Sequence, residues 1–358
     1  MIGMGGPSIG LREKLAVWRQ LSSGQLAQGS RVNEFETRFA DWVGSPHSIA
    51  LNSGTSALHL GLLALGIGPG DEVIVPSFSF AASANAIALT GARPIFCDVE
   101  EDFFTLDVEH ARALVTGNTK AIMPVHLYGQ LANMVAIQQL AEERNLFIVE
   151  DAAQAHGASH AGKPAGSWGD LAAFSFYPTK NMTTGEGGMV VTNSDSVVRM
   201  VKLLRNQGME TKYHNEVVGF NNRMTEIAAA IGIGQLPRVE GFNRRRQKNA
   251  ALLIKRLSSV PGLILPKTRQ DSVHVYHQFT VRIPDKRDQV LEKMLDSGVA
   301  AAVYYPTPIH RLPAYGETDL DLPITDKLCR EVLSLPIHPR LSRRDVEKVA
   351  SALEEALS

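Results

Sequence analysis

Lys180 is the residue whose surroundings in the sequence point most directly to chemistry. It lies in "FSFYPTKNMTTGEGG", residues 174–188, between an aromatic-rich run and a cluster of glycines. A lysine is usually a solvated surface charge. Glycines, however, let the backbone approach a ligand closely, and a partly desolvated lysine beside a cationic group has a lowered pKa, which frees its amine to attack an aldehyde. The stretch alone therefore leaves open a reactive amine or an exposed loop lysine.

A second polar cluster ends an apolar run in "IVEDAAQAHGA". Glu150 and Asp151 are adjacent there, and Gln154 follows three residues after Asp151. An acid pair could form a metal site or a general acid–base pair. No convergent His/Cys spacing supports a metal, although His156 and His160 are close in sequence. A buried aspartate needs a cationic or hydrogen-bonding partner, and the protonated ring nitrogen of a cofactor would serve.

Two further stretches could hold a phosphate. In "NSGTSALHL" small residues, among them Gly54, Thr55 and Ser56, lie between a strand and a helix. Free N–H groups and the helix dipole favour an anion there, while a simple helix cap is the alternative. Ser175 lies five residues before Lys180, and strand alternation aims its hydroxyl away from its aromatic neighbours. A core serine bonded to the backbone is the alternative for this residue.

The elements that must position these side chains follow an alternating pattern. From about residue 46 to 205, short β-branched runs alternate with helical patterns, which predicts an α/β fold with a mostly parallel sheet flanked by helices. In such sheets ligands bind beyond the carboxyl ends of the strands, where the polar clusters fall. A basic helical run at 236–257 precedes a smaller α+β unit. We place the boundary near residue 245, which gives a large domain 1–245 and a small domain 246–358.

Composition excludes several classes of function. The 358 residues carry a net charge of −1, so neither nucleic acid nor an anionic membrane is expected as the main partner. No apolar run approaches the ~20 residues of a membrane span, and the first residues lack the order of a secretory signal, so we expect a cytoplasmic protein. Cys97 and Cys329 are too few for a disulfide framework or a CxxC metal site, and we expect no metal.

Together, a phosphate seat, an aspartate, a glutamine and a loop lysine are the parts needed to hold pyridoxal 5'-phosphate (PLP). The chain also resembles the sugar aminotransferases of the DegT/DnrJ/EryC1/StrS family, within fold-type I of the PLP enzymes. The matching stretches span nearly the whole chain in order: "LNSGTSALHLGLLALGIGPGDEVIVPSFSFAASANAI", "GARPIFCDV", "PVHLYGQ", "EDAAQAHGA", "FSFYPTKNMTTGEGG", "GFNNRMTEIAAAIGIGQL", "YYPTPIH" and "LSLPIHP".

The resemblance implies roles for individual residues. Lys180 is the lysine expected to form the internal aldimine with PLP, and Asp151 is the expected partner of the pyridine nitrogen. The other implied cofactor contacts are Gln154 at the ring hydroxyl, Phe80 on the ring face, and Ser175 with Gly54, Thr55 and Ser56 at the phosphate.

The resemblance also implies a homodimer with a shared active site. In the family the segment that matches "GFNNRM" reaches from the second subunit to the phosphate. Either Asn222 or Arg223 is expected to make this contact, and the sequence leaves the choice open. His310, with Tyr304 and Tyr305, falls where the family lines the substrate pocket.

The implied reaction is transamination. An amino donor, typically L-glutamate, passes its amino group through the Lys180 aldimine and a pyridoxamine phosphate intermediate to a nucleotide-linked 3- or 4-keto-deoxysugar, in polysaccharide or antibiotic sugar biosynthesis. Some relatives replace the lysine with histidine and catalyse dehydration, so the lysine here favours transamination. The alternatives are a keto-cyclitol acceptor in aminoglycoside-type biosynthesis and a non-catalytic regulator that keeps the fold. The basic run Arg244–Arg246 could contact a diphosphate or form a solvated helix face.

Overall fold

The computed structural model describes residues 1–316 and 319–358. The helices in these residues are α1 (Leu11–Ser23), α2 (Ser30–Val43), α3 (Gly54–Ala64), α4 (Ala82–Ala88), α5 (Val108–Leu114), α6 (Met134–Arg144), α7 (Asp195–Arg205), α8 (Glu226–Gln235), α9 (Val239–Leu257), α10 (Arg287–Asp296), α11 (Pro323–Glu331) and α12 (Arg343–Leu357). The strands are β1 (His47–Leu51), β2 (Glu72–Pro76), β3 (Arg93–Cys97), β4 (Thr119–Ile122), β5 (Phe147–Asp151), β6 (Ser159–His160), β7 (Lys163–Pro164), β8 (Leu171–Ser175), β9 (Gly188–Thr192), β10 (Met209–Thr211), β11 (His214–Asn215), β12 (Ser272–Val273), β13 (Phe279–Arg282) and β14 (Val332–Leu335). Short 3-10 turns lie at Leu127–Gly129, Leu236–Arg238 and Ile309–Arg311.

A seven-stranded sheet with the order β1-β9-β8-β5-β4-β2-β3 forms the centre of the larger part of the molecule. β9 runs antiparallel to both of its neighbours, and the other pairs are parallel. Alternate residues of a strand enter different apolar clusters: Ile148 packs with Phe39 of α2, whereas Val149 packs with Leu60 of α3. Both faces of the sheet are thus covered. The predicted α/β fold with a mostly parallel, helix-flanked sheet is confirmed.

The sheet brings the ends of three strands together. β1 ends at Leu51, β5 at Asp151 and β8 at Ser175, and Gly188 at the start of β9 pairs with both Leu51 and Ser175. A β-carbon on Gly188 would lie 2.1 Å from the backbone oxygen of Ser53, so only glycine permits this approach. The loops that follow β1, β5 and β8 therefore leave the sheet side by side.

A smaller unit follows the large one. β13 and β14 pair antiparallel, and α9, α10 and α12 contribute to a separate apolar cluster around them. α9 continues through residue 245 without a break, with Val239 in a cluster of the large unit and Leu253 in the cluster of the small one. We propose that the domain boundary lies near residue 245, inside this helix. Ile309 and Leu322 return to pack against the large unit.

Two features are absent from the described residues. No helix in residues 1–316 and 319–358 has the length and apolar character needed to cross a membrane. The same residues contain no group of three or more His, Cys, Asp or Glu side chains placed to hold a metal ion. Cys97 and Cys329 are buried free thiols, and burial raises the pKa of both, that of Cys329 to about 12.

Candidate active site

A cavity of about 540 Å³ lies beyond the carboxyl ends of β1, β5 and β8. This volume is in the range of small-molecule sites. Most of the residues that the sequence singled out line it: Gly54, Thr55, Phe80, Asp151, Gln154, Ser175, Lys180, Tyr304 and Tyr305. The lining thus joins segments from both the large and the small unit.

Lys180 occupies a tight turn after β8. Its backbone N–H donates to the carbonyl oxygen of Tyr177 at 2.9 Å, which returns the chain toward the sheet and leaves the side chain half-buried at the cavity wall. Burial lowers the pKa of the Lys180 amine to about 8, although the negative charge of Asp151 opposes this shift. Roughly a tenth of the amine is therefore neutral at pH 7, so it can act as a nucleophile or a base.

Asp151 is held by two hydrogen bonds. Its Oδ2 accepts from the hydroxyl of Ser83 at 2.7 Å, and its Oδ1 accepts from the backbone N–H of Ala153 at 3.1 Å. The side chain is 6% exposed. The hydroxyl of Ser79 lies 3.1 Å from that of Ser83 and continues this chain along the cavity wall. The carboxylate consequently has a fixed orientation beside the cavity.

The orientation of the Gln154 side-chain amide is set by a hydrogen bond from the backbone of Tyr128. Its Oε1 accepts the backbone N–H of Tyr128 at 2.7 Å, so Nε2 must point the other way, toward the hydroxyl of Tyr305 at 3.3 Å. Tyr305 also contacts Phe80 at the cavity mouth, with ring centroids 5.9 Å apart. The side-chain amide therefore presents a hydrogen-bond donor at the cavity.

The N-terminus of α3 meets the end of β8. Ser53 caps the helix by accepting the N–H of Ser56 at 3.1 Å, and the first N–H groups of a helix have no partner within it. A β-carbon on Gly54 would lie 2.7 Å from that of Ser175, so glycine is needed for the two elements to approach. The serine thus caps the helix, and Gly54 and Thr55 at the helix end line the cavity, while phosphate binding there stays a prediction. Ser56 itself lies outside the lining.

His310 is not brought to the cavity. It is fully buried within the 3-10 turn Ile309–Arg311, where its Nδ1 lies 2.7 Å from the hydroxyl of Ser77 and its ring centroid lies 6.3 Å from that of Phe96. Ile309 anchors the turn in the apolar cluster of the large unit, and this packing turns His310 inward. His310 therefore does not line the cavity of the single chain, and its place in the substrate pocket stays a prediction.

Asn222 and Arg223 also lie outside the cavity of the single chain. The carbonyl oxygen of Asn222 accepts the N–H of Asn52 at 3.0 Å, next to the start of α3. Arg223 donates from Nη1 to Oδ1 of Asn206 at 2.7 Å. The segment thus passes close to the start of α3 but does not line the cavity within one subunit.

Sequence reasoning missed several residues of the cavity wall. Those with polar side chains include Ser53, Ser79, Ser83, Glu186, His277 and Gln278. Ser83 and Asp151 are 68 positions apart, and His277 reaches the site from the small unit. No local motif marks such long-range partners.

The donor set around the cavity fits PLP. An aldehyde requires a neutral amine, which Lys180 provides, and a pyridinium nitrogen requires a carboxylate, which Asp151 provides. A phosphate requires free N–H groups and hydroxyls, which the start of α3 and Ser175 provide. All of them line one cavity of adequate volume.

Comparison with known proteins decides the family. A profile described as the DegT/DnrJ/EryC1/StrS aminotransferase family matches residues 7–354, almost the whole chain. The chain belongs to this family. The resemblance seen in the sequence is thereby confirmed.

Relatives within the DegT/DnrJ/EryC1/StrS family are similar over most of their length. GDP-perosamine synthase of Caulobacter vibrioides is 43% identical over 338 residues, 92% of this chain and 91% of the relative. A dTDP-3-amino-3,4,6-trideoxy-alpha-D-glucose transaminase of Streptomyces venezuelae is 42% identical over 344 residues, 95% and 90% of the two chains.

Solved structures of family members superimpose closely. DesV of S. venezuelae, crystallised in complex with a ketimine intermediate, has a TM-score of 0.94 at 41% identity and covers 97% of this chain and 94% of its own. NtdA of Bacillus subtilis, with bound cofactor PMP, has a TM-score of 0.91 at 30% identity, with 98% and 83% coverage. The cofactor of the DegT/DnrJ/EryC1/StrS enzymes is PLP, so this chain is a PLP-dependent aminotransferase.

Proposed function

We propose that this aminotransferase moves an amino group from L-glutamate to a keto sugar carried on a nucleoside diphosphate. The observation that carries the proposal is the placement of Lys180 and Asp151 in one cavity with the N-terminus of α3. The names of the two relatives described above refer to a GDP-linked and a dTDP-linked sugar. Because those nucleotides differ, the proposal names the class of acceptor and leaves the nucleotide open. We also propose that the enzyme is cytoplasmic, because nucleotide sugars are made in the cytoplasm.

Lys180 and Asp151 have different roles in proton transfer: Lys180 acts at the substrate carbon, and Asp151 acts at the cofactor ring. Bound PLP supplies an aldehyde that takes up the amino group and a ring that accepts electrons. Nζ of Lys180, neutral in part at pH 7 because of its lowered pKa, removes the proton from the donor carbon that bears nitrogen. In the second half of the reaction it delivers a proton to the acceptor carbon. The Asp151 carboxylate, oriented by Ser83, keeps the proton on the ring nitrogen.

The remaining cavity residues hold and orient the reactants. Nε2 of Gln154 donates to the ring hydroxyl, since its Oε1 is already occupied by Tyr128. Ser175 and the N–H groups at Gly54 and Thr55 bind the phosphate. Phe80 would cover the ring face, and Tyr305, whose ring contacts that of Phe80, would border the acceptor.

We propose that the active enzyme is a homodimer, because the cavity of one chain is short of positive charge. Lys180 is the only lysine or arginine in its lining, among the residues described. The phosphate of PLP and the two carboxylates of L-glutamate bring several negative charges. The partner subunit's Asn222 or the partner's Arg223 would complete the phosphate site, as the family resemblance implies.

Exposed apolar side chains support an interface. On α1, Leu11, Leu15 and Trp18 recur at helical spacing on one exposed face. Val218, just before the segment that carries Asn222, is 91% exposed. Large apolar side chains exposed together on one helix face are typical of an interaction site.

Product analysis tests the acceptor class. The PLP-loaded enzyme should form one equivalent of 2-oxoglutarate from L-glutamate without an acceptor, and should turn over only when a keto sugar linked to GDP, dTDP or UDP is added. Lys180→Ala is the matched inactive control. Turnover with a free keto-cyclitol, and none with any nucleotide-linked sugar, would contradict the proposed acceptor.

Mixing two inactive variants tests the shared site. Lys180→Ala and an Asn222→Ala/Arg223→Ala double variant are each expected to be inactive. After mixing in equal amounts and exchanging subunits, about a quarter of the wild-type sites should be intact, because half of the dimers carry one complete site. Mixtures that stay inactive although native mass spectrometry shows mixed dimers would contradict a shared site.

A further inference from the structure

Asn181, the residue after Lys180, belongs to a buried hydrogen-bond network. Its side chain is 4% exposed. Nδ2 of Asn181 donates to Oδ1 of Asn243 at 2.8 Å and to the carbonyl oxygen of Val275 at 3.3 Å. Its Oδ1 lies 3.3 Å from Nδ1 of His277. The backbone beside the reactive lysine is thus tied to α9 and to the segment before β13.

The direction of every bond in this network follows from one backbone carbonyl. Nδ2 of Asn243 donates to the carbonyl oxygen of His156 at 2.7 Å, and a carbonyl oxygen can only accept. Oδ1 of Asn243 must therefore face Asn181 and accept from its Nδ2. This leaves Oδ1 of Asn181 toward His277, so Nδ1 of His277 carries the proton and Nε2 carries the lone pair.

The backbone of His277 is fixed as firmly as its ring. Arg246 of α9 donates from Nη1 to the carbonyl oxygens of Tyr276 and His277, at 3.1 and 3.2 Å. The N–H of Gln278 donates to Tyr128 at 3.2 Å. Tyr276 itself has φ +46°, a conformation that costs an aromatic residue energy and persists only where the surroundings impose it.

The charges around the network keep the imidazole neutral. Burial lowers the pKa of His277 well below its ordinary value, and the positive charges of Lys180 and Arg246 add to the effect. The other titratable groups that face this region are Asp151, Glu186, Tyr177, Tyr304 and Tyr305 on the cavity wall and His156 behind Lys180. A neutral ring with a fixed tautomer is a directional support rather than a mobile charge.

We propose that His277 is a positioning residue for Lys180 that acts through Asn181. Its Nδ1–H holds Oδ1 of Asn181, which fixes the turn next to Lys180 and thereby the burial of the amine. The low basicity of Lys180 and its aim into the cavity both depend on this support. The inference rests on the proposed role of Lys180 as the amine that carries PLP.

Labelling of Lys180 in the cofactor-free protein tests the proposal without any catalytic readout. Acetic anhydride acylates only neutral amines, so the pH dependence of Lys180 acetylation, followed by peptide mass spectrometry, reports its ionisation. In His277→Ala the turn loses this support and water reaches the amine, so we expect the midpoint to rise by about one pH unit. In His277→Asn the side-chain amide nitrogen lies near the position of Nδ1 and can still donate, so we expect the wild-type midpoint.

A second comparison keeps the test decisive if His277→Ala folds poorly. His277→Gln has a size closer to histidine but carries its donor near the position of Nε2, so it should behave like the alanine variant. Unchanged midpoints in His277→Ala and His277→Gln, or an equal shift in His277→Asn, would overturn the proposal. Thermal unfolding of each variant identifies the folded proteins that enter the comparison.

The same assay separates this inference from the proposed function. In the wild-type protein, PLP should protect Lys180, and not the surface lysines, from acetylation. Loss of that protection would count against Lys180 as the PLP-binding amine, whatever the His277 variants do. Full protection together with unshifted variants would leave the proposed function standing and remove only the role of His277.

Discussion

The hydroxyl of Ser83 donates a 2.7 Å hydrogen bond to Oδ2 of Asp151, across 68 positions of sequence. Asp151 ends β5, and Ser83 lies in the first turn of α4. Since Oδ1 is bonded to the N–H of Ala153, both carboxylate oxygens have a partner within the chain. The residue proposed to keep the cofactor ring protonated is therefore oriented before any ligand arrives.

Replacing Ser83 tests the value of that orientation. In Ser83→Ala, Asp151 loses a charge-assisted hydrogen bond worth about 1.5–3 kcal/mol, and we expect kcat to fall at least roughly tenfold. Ser83→Thr keeps the hydroxyl and should retain most activity. Steady-state kinetics with L-glutamate, alongside the PLP dissociation constant, provide the measurement. Equal kcat in the alanine variant and the wild type would show that Asp151 needs no help from Ser83.

Gly54 tests the phosphate seat. A β-carbon there would lie 2.7 Å from that of Ser175, so Gly54→Ala should push α3 away from β8 and weaken PLP binding by about tenfold or more. Gly241→Ala is the matched control, because a β-carbon at Gly241 in α9 meets open space and alanine favours the helix by about 0.5–1 kcal/mol. Fluorescence titration with PLP measures both. Unaltered PLP affinity in Gly54→Ala would argue against this seat.

His156 is fully buried between Phe174 and Phe176, and neither of its ring nitrogens has a well-formed hydrogen bond among the residues described. Burial, and next the charge of Lys180, lower the pKa of its ring to about 3. The unfolded chain therefore binds a proton below about pH 6.5 that the folded chain does not bind, so stability falls as the pH drops from 6.5 toward 3.

His156→Leu removes both the buried, unpaired ring nitrogens and the proton that only the unfolded chain binds. We expect the free energy of unfolding to rise by about 1 kcal/mol at pH 7, because an unpaired buried polar group is removed. At pH 5.5 the advantage should grow by about 1 kcal/mol more, because the linked proton is gone. Urea unfolding at the two pH values measures this. A variant less stable than the wild type, with no change in the pH dependence, would show that the ring has a partner in solution.

The sequence predicted the parts of the site that depend on the sheet. Asp151 and Ser175 end adjacent parallel strands, and carboxyl ends of parallel strands meet at one edge. Lys180 follows Ser175 by one turn, so its place at the cavity followed as well. Because β5 ends at Asp151, Gln154 lies in the loop directly after the strand and reaches the same cavity.

Contacts between the large and the small unit could not be predicted from the sequence. Nothing local to His277 marks Asn181 as its partner, 96 positions away. Arg246 belongs to the basic run that suggested a diphosphate contact or a solvated face, yet it is 6% exposed. It lies three residues after Asn243 and four before Ala250, on the buried face of α9. Neighbouring Arg244 stays exposed and pairs with Glu240, so the three arginines do not act as a unit.

Reduction of the PLP-loaded enzyme with sodium borohydride tests the central claim most directly. Borohydride fixes the cofactor covalently to the amine that holds it, and peptide mass spectrometry then locates the added mass. The account predicts one pyridoxyl group per chain, on Lys180, and none in Lys180→Ala. The added mass on another lysine, or none at all in a protein that binds PLP, would contradict it.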